Sequence, residues 1–271
     1  NGASEEIVGE WIAARGLRHD ILLATKVHGK TGPGPNDHGL SRIHIMRQVE
    51  KSLRRLRSDV IDLYQIHRWY AEAPVEETAR ALDDLIRQGK VRYIGSSNLR
   101  AYQLLIYLTV QRELGLDRFI SHQPQYSAVN RSIELETLPL CDREGLGVIS
   151  YNPLAGGLLT GKYGNGEALP EGTRLDELEE YRKRYLYEGA INIAGQMVET
   201  AHSRGMSPAQ LALAWVIAEP RITAPIVGAR SVEQLTDTLG ALDHPLSPEE
   251  RMQIPAVLSG RWIGEDIVYD R

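Results

Sequence analysis

The stretch Ile61-Asp62-Leu63-Tyr64-Gln65-Ile66-His67 reads as a strand buried on both faces that ends on a histidine, and it decides the fold. Five further apolar runs take the same form. Upstream is Ile21–Ala24, followed by Lys26. Downstream come Val91–Ser96 with Ser97 and Asn98, and Phe119–Ser121 with Gln123. Val148–Ser150 with Tyr151 and Ile222–Val227 with Gly228, Ala229 and Arg230 complete the series. Helical patterns separate the runs, and alternating β and α with short connections implies a parallel sheet of the α/β class. In a (β/α) barrel the C-terminal strand ends converge on one face, which carries the active site. A lysine and a histidine far apart in sequence are therefore expected to meet.

The helical patterns carry their own start signals. Ser4-Glu5-Glu6 opens one with Ser4 as N-cap and an acidic first turn. Ile45, Val49, Leu53 and Leu56 share one face of a helix from Ser41 to Leu56. Further helices are expected over Pro74–Gln88, Arg100–Glu113, Glu134–Glu144 and Gly189–Ser203. Ser207-Pro208-Ala209-Gln210 has capping-box spacing, and so do Ser231-Val232-Glu233-Gln234 and Ser247-Pro248-Glu249-Glu250. The segment from Tyr151 to Tyr185 breaks the rhythm, with Gly156, Gly157, Gly161, Gly164 and Gly166 followed by charge. A long loop of this kind is usually functional. It has no G-x-G-x-x-G between a strand and a helix, which argues against a dinucleotide fold of the Rossmann type.

The chain has 271 residues, 42% apolar and 25% charged, with a net charge of −5. These values are ordinary for a globular protein, and the interleaved charges argue against nucleic-acid or membrane-surface binding. No apolar run approaches the roughly 18–20 residues of a membrane span. The single cysteine, Cys141, permits no internal disulfide, which fits a reducing compartment, and we expect a cytoplasmic protein. The first residue is Asn1 rather than Met, which leads us to expect a cut or omitted N-terminus. No spacing among the histidines suggests a metal site.

Two candidates carry chemistry on their own. Lys26 ends an apolar strand, where an ammonium must be paired or have a lowered pKa; the plainer alternative is a lysine that snorkels to solvent. His67 is either catalytic or a hydrogen-bonded structural residue, as the other seven histidines are expected to be. Trp69 and Tyr70, just after His67, are candidate walls of a substrate pocket.

Taken in order, these segments resemble the aldo-keto reductase superfamily. The resemblance runs from Asn1-Gly2-Ala3-Ser4-Glu5-Glu6 to the helix after Arg230. It is carried by Leu23-Ala24-Thr25-Lys26, Asp62–His67, Gly89-Lys90-Val91-Arg92-Tyr93-Ile94-Gly95-Ser96-Ser97-Asn98 and Gln123-Pro124-Gln125-Tyr126-Ser127. Tyr151-Asn152-Pro153-Leu154-Ala155-Gly156-Gly157-Leu158-Leu159-Thr160-Gly161-Lys162-Tyr163 and Val227–Leu235 complete it. The Asn-Pro-Leu-Ala-Gly-Gly form is similar to the bacterial branch that also resembles potassium-channel β subunits.

The resemblance implies a single domain over residues 1–271, a (β/α)8 TIM barrel that binds NADPH (or NADP+) and reduces a small-molecule carbonyl. The first two strands of that barrel have no counterpart here. It implies a tetrad of Asp, Tyr, Lys and His, in which the tyrosine protonates the carbonyl oxygen and the lysine lowers the tyrosine pKa. Lys26 and His67 match the lysine and the histidine. The Asp and Tyr would precede Asn1, and we expect a longer native N-terminal segment to carry them. Ser97, Asn98 and Gln123 match the residues that hold the nicotinamide carboxamide, with a helix N-cap as the alternative for Ser97-Asn98. Tyr151 matches the stacking aromatic, with a core aromatic as its alternative. Asn152, Pro153 and Leu154 belong to the same cofactor motif. Gly156, Gly157 and Gly161 would let backbone N–H groups approach the pyrophosphate. Lys162 and Arg174 match its cationic partners, with a solvated loop as the alternative. Gly228, Ala229, Arg230, Gln234, Asp237 and Thr238 match the adenosine end, and Arg230 would favour a 2′-phosphate. The family often has Glu-Asn where this chain has Asp237 and Thr238.

Three functions remain in view at this point: an NADPH-dependent carbonyl reductase, a non-catalytic NADPH-binding regulatory subunit on the same fold, and an aldolase that uses Lys26 as a Schiff-base amine. Neither the substrate nor the oligomeric state is encoded in a visible pattern.

Overall fold

A computed structural model describes residues 2–164 and 169–256. Asn1, where the resemblance begins, and the loop glycine Gly166 lie outside the described residues. In chain order the elements are α1 (Ala3–Arg15), β1 (Ala24–Val27), α2 (Arg42–Leu56), β2 (Ile61–Ile66), α3 (Val75–Arg87) and β3 (Val91–Ser97). Then come α4 (Ala101–Glu113), β4 (Ser121–Gln123), α5 (Thr137–Glu144), β5 (Gly147–Ser150), α6 (Arg174–Glu177) and α7 (Glu179–Tyr185). The series ends with α8 (Glu188–Ser203), α9 (Pro208–Ile217), β6 (Ala224–Pro225), α10 (Val232–Leu239) and α11 (Pro248–Gln253). Every described strand pair is parallel, so the α/β class expected from the sequence holds.

The chain divides into two compact units: Asn1–Gln123 with Leu140–Gly147, and Pro124–Pro139 with Val148–Arg271. In the first unit β2 lies between β1 and β3, and β3 also pairs with β4. That position explains why Ile61, Tyr64 and Ile66 are fully buried. Gly95 in β3 has a packing reason. A Cβ there would stand 2.7 Å from Ser121 Oγ and 3.1 Å from the Ser121 carbonyl. α2 is capped by Ser41, whose hydroxyl accepts from the His44 N–H, and Ile45, Val49, Leu53 and Leu56 are buried as their spacing requires. α3 ends at Gly89, where φ is 71° and the Gly89 and Lys90 N–H groups close the last turn. Cys141 on α5 is buried, and burial pushes its thiol up to about 12.

In the second unit β5 pairs with β6. α9 is buried on nearly every side, which its run of alanine and leucine allows. The full capping box forms at Ser207 and Gln210, and again at Ser247 and Glu250. Trp215 and Tyr126 pack with ring centroids 5.4 Å apart, and the Arg251 guanidinium lies 4.1 Å from the Trp215 ring centre. Arg251 also pairs with Glu134 at 3.0 Å and Glu219 at 3.3 Å.

Several boundaries differ from the sequence expectation. Gly2, not Ser4, occupies the N-cap of α1, with φ 102°, and a side chain there would strike Arg55. β1 covers Ala24–Val27 rather than Ile21–Ala24, so Lys26 stands in the strand and not beyond it. The cause is Asp62. Its carboxylate accepts the Leu23 N–H at 2.8 Å and pairs with Arg18 and Arg92, so Leu23 meets β2 through its carbonyl alone, which accepts the Asp62 and Leu63 N–H groups. Burial alone would raise that carboxyl; the Leu23 N–H and the two guanidinium groups outweigh it and hold the pKa below its ordinary value. β4 likewise runs Ser121–Gln123 rather than Phe119–Ser121, because pairing with Gly95, Ser96 and Ser97 sets the register. The expected helix Glu134–Glu144 breaks into a 3-10 turn, Ser132–Glu134, and α5, because Glu134 is held by Tyr126, Arg131 and Arg251. β6 shrinks from six residues to Ala224–Pro225, and proline gives the ladder no N–H. At Ser231 only half of the capping box forms. Its hydroxyl accepts from Gln234 N–H, while the Gln234 side chain accepts from Arg230 N–H at 3.0 Å.

Candidate functional site

The candidate residues fall into two sets, one in each unit. In the first unit, Lys26 sits in β1 opposite Gln65, and His67 follows β2 with its N–H on the Val27 carbonyl at 2.9 Å. Among the described residues Lys26 makes no ion pair, and burial lowers its pKa. His67 is lowered to about 4 by burial first, then by the charges of Lys26 and Arg68. Its imidazole is therefore neutral at pH 7 and can offer one N–H donor.

Ser97, Asn98 and Gln123 are linked to His67 and to one another. The Asn98 side-chain amide donates to the His67 carbonyl and to Ser97 Oγ, each at 3.0 Å. The Ser97 hydroxyl donates to the Gln123 carbonyl at 2.7 Å. Asn98 has φ 54°, a left-handed conformation that asparagine tolerates well. Ser97 and Asn98 do not cap α4; Arg100 stands at that position, with its N–H on the Gln103 side chain. Trp69 packs edge-on against Tyr107 at 5.8 Å. Tyr70 donates to Glu72 at 2.6 Å, which raises its pKa to about 12, and its ring stands edge-on to His28 and His38. His122 is fully buried with Nδ1 2.9 Å from Ser96 Oγ, a structural pairing.

The second unit contains a cavity of about 450 Å3. Most of the candidate residues from Tyr151 to Thr238 line it: Tyr151-Asn152-Pro153-Leu154, Gly156-Gly157, Lys162, Arg174, Gly228-Ala229-Arg230, Gln234, Asp237 and Thr238; Gly161, expected beside the pyrophosphate, is not in its wall and packs by Val198 instead. Its floor turns sharply. Asn152, Ala155, Gly156 and Gly157 all have positive φ, between 50° and 97°. A Cβ on Gly157 would lie 2.7 Å from Lys162 Cε, so the glycine lets the lysine stem fold over the turn. The Gly157 N–H itself donates to Leu154 at 2.8 Å and is used within the turn. Lys162 lies 5.0 Å from the centre of the Tyr163 ring and Arg174 lies 5.2 Å from that of Tyr181. Arg230 donates to the Gly172 carbonyl at 2.5 Å and meets Glu177 at 3.3 Å. Asp237 accepts from the Ser207 hydroxyl at 3.0 Å.

Three cations, Lys162, Arg174 and Arg230, thus line the cavity, and Gln234, Asp237 and Thr238 of α10 form part of its wall. That set suits an anionic ligand. Thr160, Ser207, Pro208, Ala209, Ile226 and Val227 also line it, and the sequence reading missed them as site residues. Ser207-Pro208 gave a signal, but it was read only as a helix start. Among the described residues no group of three His, Cys, Asp or Glu side chains could hold a metal ion, and no helix is long and apolar enough to cross a membrane.

The profile of the aldo/keto reductase family matches residues 1–259. The chain is 39% identical over 257 residues to the uncharacterized oxidoreductase YrpG of Bacillus subtilis, covering 92% of this chain and 75% of that protein. It is 38% identical over 268 residues to a probable voltage-gated potassium channel subunit beta of Oryza sativa, covering 96% and 81%. It is 33% identical over 264 residues to the L-glyceraldehyde 3-phosphate reductase of Escherichia coli O157:H7, covering 93% and 75%. The chain belongs to the aldo/keto reductase family.

Proposed function

We propose that this aldo/keto reductase reduces an aldehyde or ketone to the alcohol with NADPH as the reductant. One observation carries the reading: all but one of the candidate residues between Tyr151 and Thr238 line a single cavity that includes three cations. The donor set fits a dinucleotide phosphate. Lys162 and Arg174 would neutralise a pyrophosphate, Arg230 a 2′-phosphate, and Gln234, Asp237 and Thr238 would meet the adenosine end. Tyr151 would stack on the nicotinamide. When bound, NADPH supplies the hydride.

The protein's part is to orient the carbonyl and manage one proton. His67, neutral at pH 7, donates a hydrogen bond to the carbonyl oxygen and polarises it. Lys26 places a cation where negative charge develops on that oxygen or on a phenolic proton donor. The carbonyl carbon would gain a hydride, its oxygen would gain a proton from the phenolic donor, which solvent then reprotonates, and the C=O π bond would become a C–H and an O–H bond. Trp69 and Tyr70 would form pocket walls.

The test is a titration of the full chain with NADPH, followed by its fluorescence, then consumption of NADPH with a panel of aldehydes. Saturable binding and turnover support the reading. Binding without turnover on any aldehyde, ketone or reverse alcohol substrate would favour a binding-only role. Arg230→Ala should weaken NADPH by about tenfold and leave NADH nearly unchanged, because a lost charged hydrogen bond is worth about 1.5–3 kcal/mol. Equal loss for both cofactors would remove the 2′-phosphate role.

A further inference from the structure

The 151–185 segment ends on a residue that the family motifs did not single out. Tyr185, the last residue of α7, is fully buried. Its hydroxyl accepts two side-chain amides, Gln125 Nε2 at 2.5 Å and Asn152 Nδ2 at 3.1 Å. Both donors flank Tyr151. Gln125 bridges Tyr151 in parallel, with the Tyr151 N–H on the Pro124 carbonyl at 3.0 Å and the Tyr126 N–H on the Tyr151 carbonyl at 3.1 Å. Asn152 is the next residue along, lines the cavity, and holds φ 58°. The Tyr185 ring has a second contact. A Cβ on Gly156 would stand 3.4 Å from Tyr185 Cδ2 and 2.9 Å from Tyr181 Cδ1, so both rings press on the glycine turn of the cavity floor.

One buried hydroxyl thus joins the two supports of Tyr151, while its ring backs the turn beside Lys162. We propose that Tyr185 is a positioning residue of the cofactor site: by receiving Gln125 and Asn152 it fixes the seat of Tyr151, and so the ring face against which a nicotinamide rests. This inference rests on the function proposed above. The physical basis is the buried hydroxyl of Tyr185, which ties two half-buried amides together. Removing the acceptor costs both hydrogen bonds, and the left-handed Asn152 loses its tie. A stacking surface that is loose by an ångström lowers the rate more than it lowers stability.

The experiment compares wild type with Tyr185→Phe, which keeps the ring against Gly156, and with Asn152→Gly, which keeps the backbone conformation and removes the amide. Affinity is read by NADPH fluorescence, and kcat is measured at saturating NADPH and aldehyde. Tyr185→Phe should weaken NADPH and lower kcat, each by about tenfold, the loss expected when two half-buried hydrogen bonds are removed. The double variant should be no worse than the poorer single one, since both remove the same link. Val49→Ala, in the core of the first unit, controls for general destabilisation and should leave kcat unchanged. Wild-type affinity and kcat in Tyr185→Phe would overturn the positioning role and leave the reductase reading standing. A kcat loss that Val49→Ala reproduces would also overturn it. Wild type that fails to bind NADPH would overturn the reductase reading itself.

Discussion

Asn98 donates its side-chain amide to the backbone carbonyl of His67 at 3.0 Å, so the residue at the end of β3 holds the main chain at the end of β2. The same amide reaches Ser97 Oγ, whose proton goes to Gln123. Three neighbouring strand ends are thereby tied by side chains beyond the reach of their ladders.

Removing that tie separates backbone strain from hydrogen bonding. Asn98→Gly keeps the left-handed φ of 54° and loses the bonds. Asn98→Ala loses the bonds and adds strain of about 1–2 kcal/mol. We expect Asn98→Gly to lower stability by about 1–2 kcal/mol and Asn98→Ala by roughly 1 kcal/mol more, read by urea unfolding. Equal losses would mean that the φ value carries no penalty.

His67 and His122 both stand at about 4, lowered from 6.5, His67 by burial and then the neighbouring cations, His122 by burial. A depressed histidine is neutral when folded and takes up a proton on unfolding between these values. The stability it contributes is therefore fully present above pH 6.5 and is lost as pH falls toward 4. Unfolding free energy should decline over that window, and His67→Gln should flatten the decline. Proton titration by NMR should place the His67 midpoint well below the ordinary histidine value; a midpoint near it would refute the assignment.

Gly95 stands where a Cβ would meet Ser121 at 2.7 Å. Gly95→Ala should cost about 1–3 kcal/mol by overpacking between β3 and β4. Gly95→Ala with Ser121→Gly should recover part of that loss in thermal unfolding. No recovery would move the cause away from this contact.

Arg251 is the cation shared by Glu134 and Glu219, and it lies over Trp215. Arg251→Ala leaves Glu134 with Arg131 and Glu219 with Arg221 but removes the cation packed over Trp215, and should destabilise by about 1–3 kcal/mol. Chemical denaturation measures it. A loss below about 1 kcal/mol would show that solvent reaches the pair.

Trp69 packs on Tyr107 at its edge and is half-buried. Trp69→Ala should shift kcat/KM among aldehydes by about tenfold, as a changed apolar pocket contact does, with little effect on NADPH affinity. A larger change in NADPH affinity than in substrate preference would remove it from the pocket wall.

Strand order and strand type were legible in the sequence because parallel strands show as apolar runs, and β2 matched its run to the residue. Boundaries failed where long-range polar contacts set the register. Asp62 takes the Leu23 N–H and leaves only its carbonyl to β2, and β3 draws Gln123 into its own ladder. No local pattern near Ile21 or Phe119 carries that information. The cavity residues from Tyr151 onward were legible because they lie in contiguous motifs. Ser207 and Pro208 were not, since a capping sequence looks the same whether or not its helix start faces a cavity. Tyr185 was invisible for the opposite reason: its two partners lie 33 and 60 positions away in sequence.

Cys141 is the chain's single thiol, and it is shut away on α5 with its proton firmly held. It therefore doubles as a built-in clock. A disulfide reagent in the solvent can reach the sulfur only when that helix lifts away, so the labelling half-life times the opening of the fold around it.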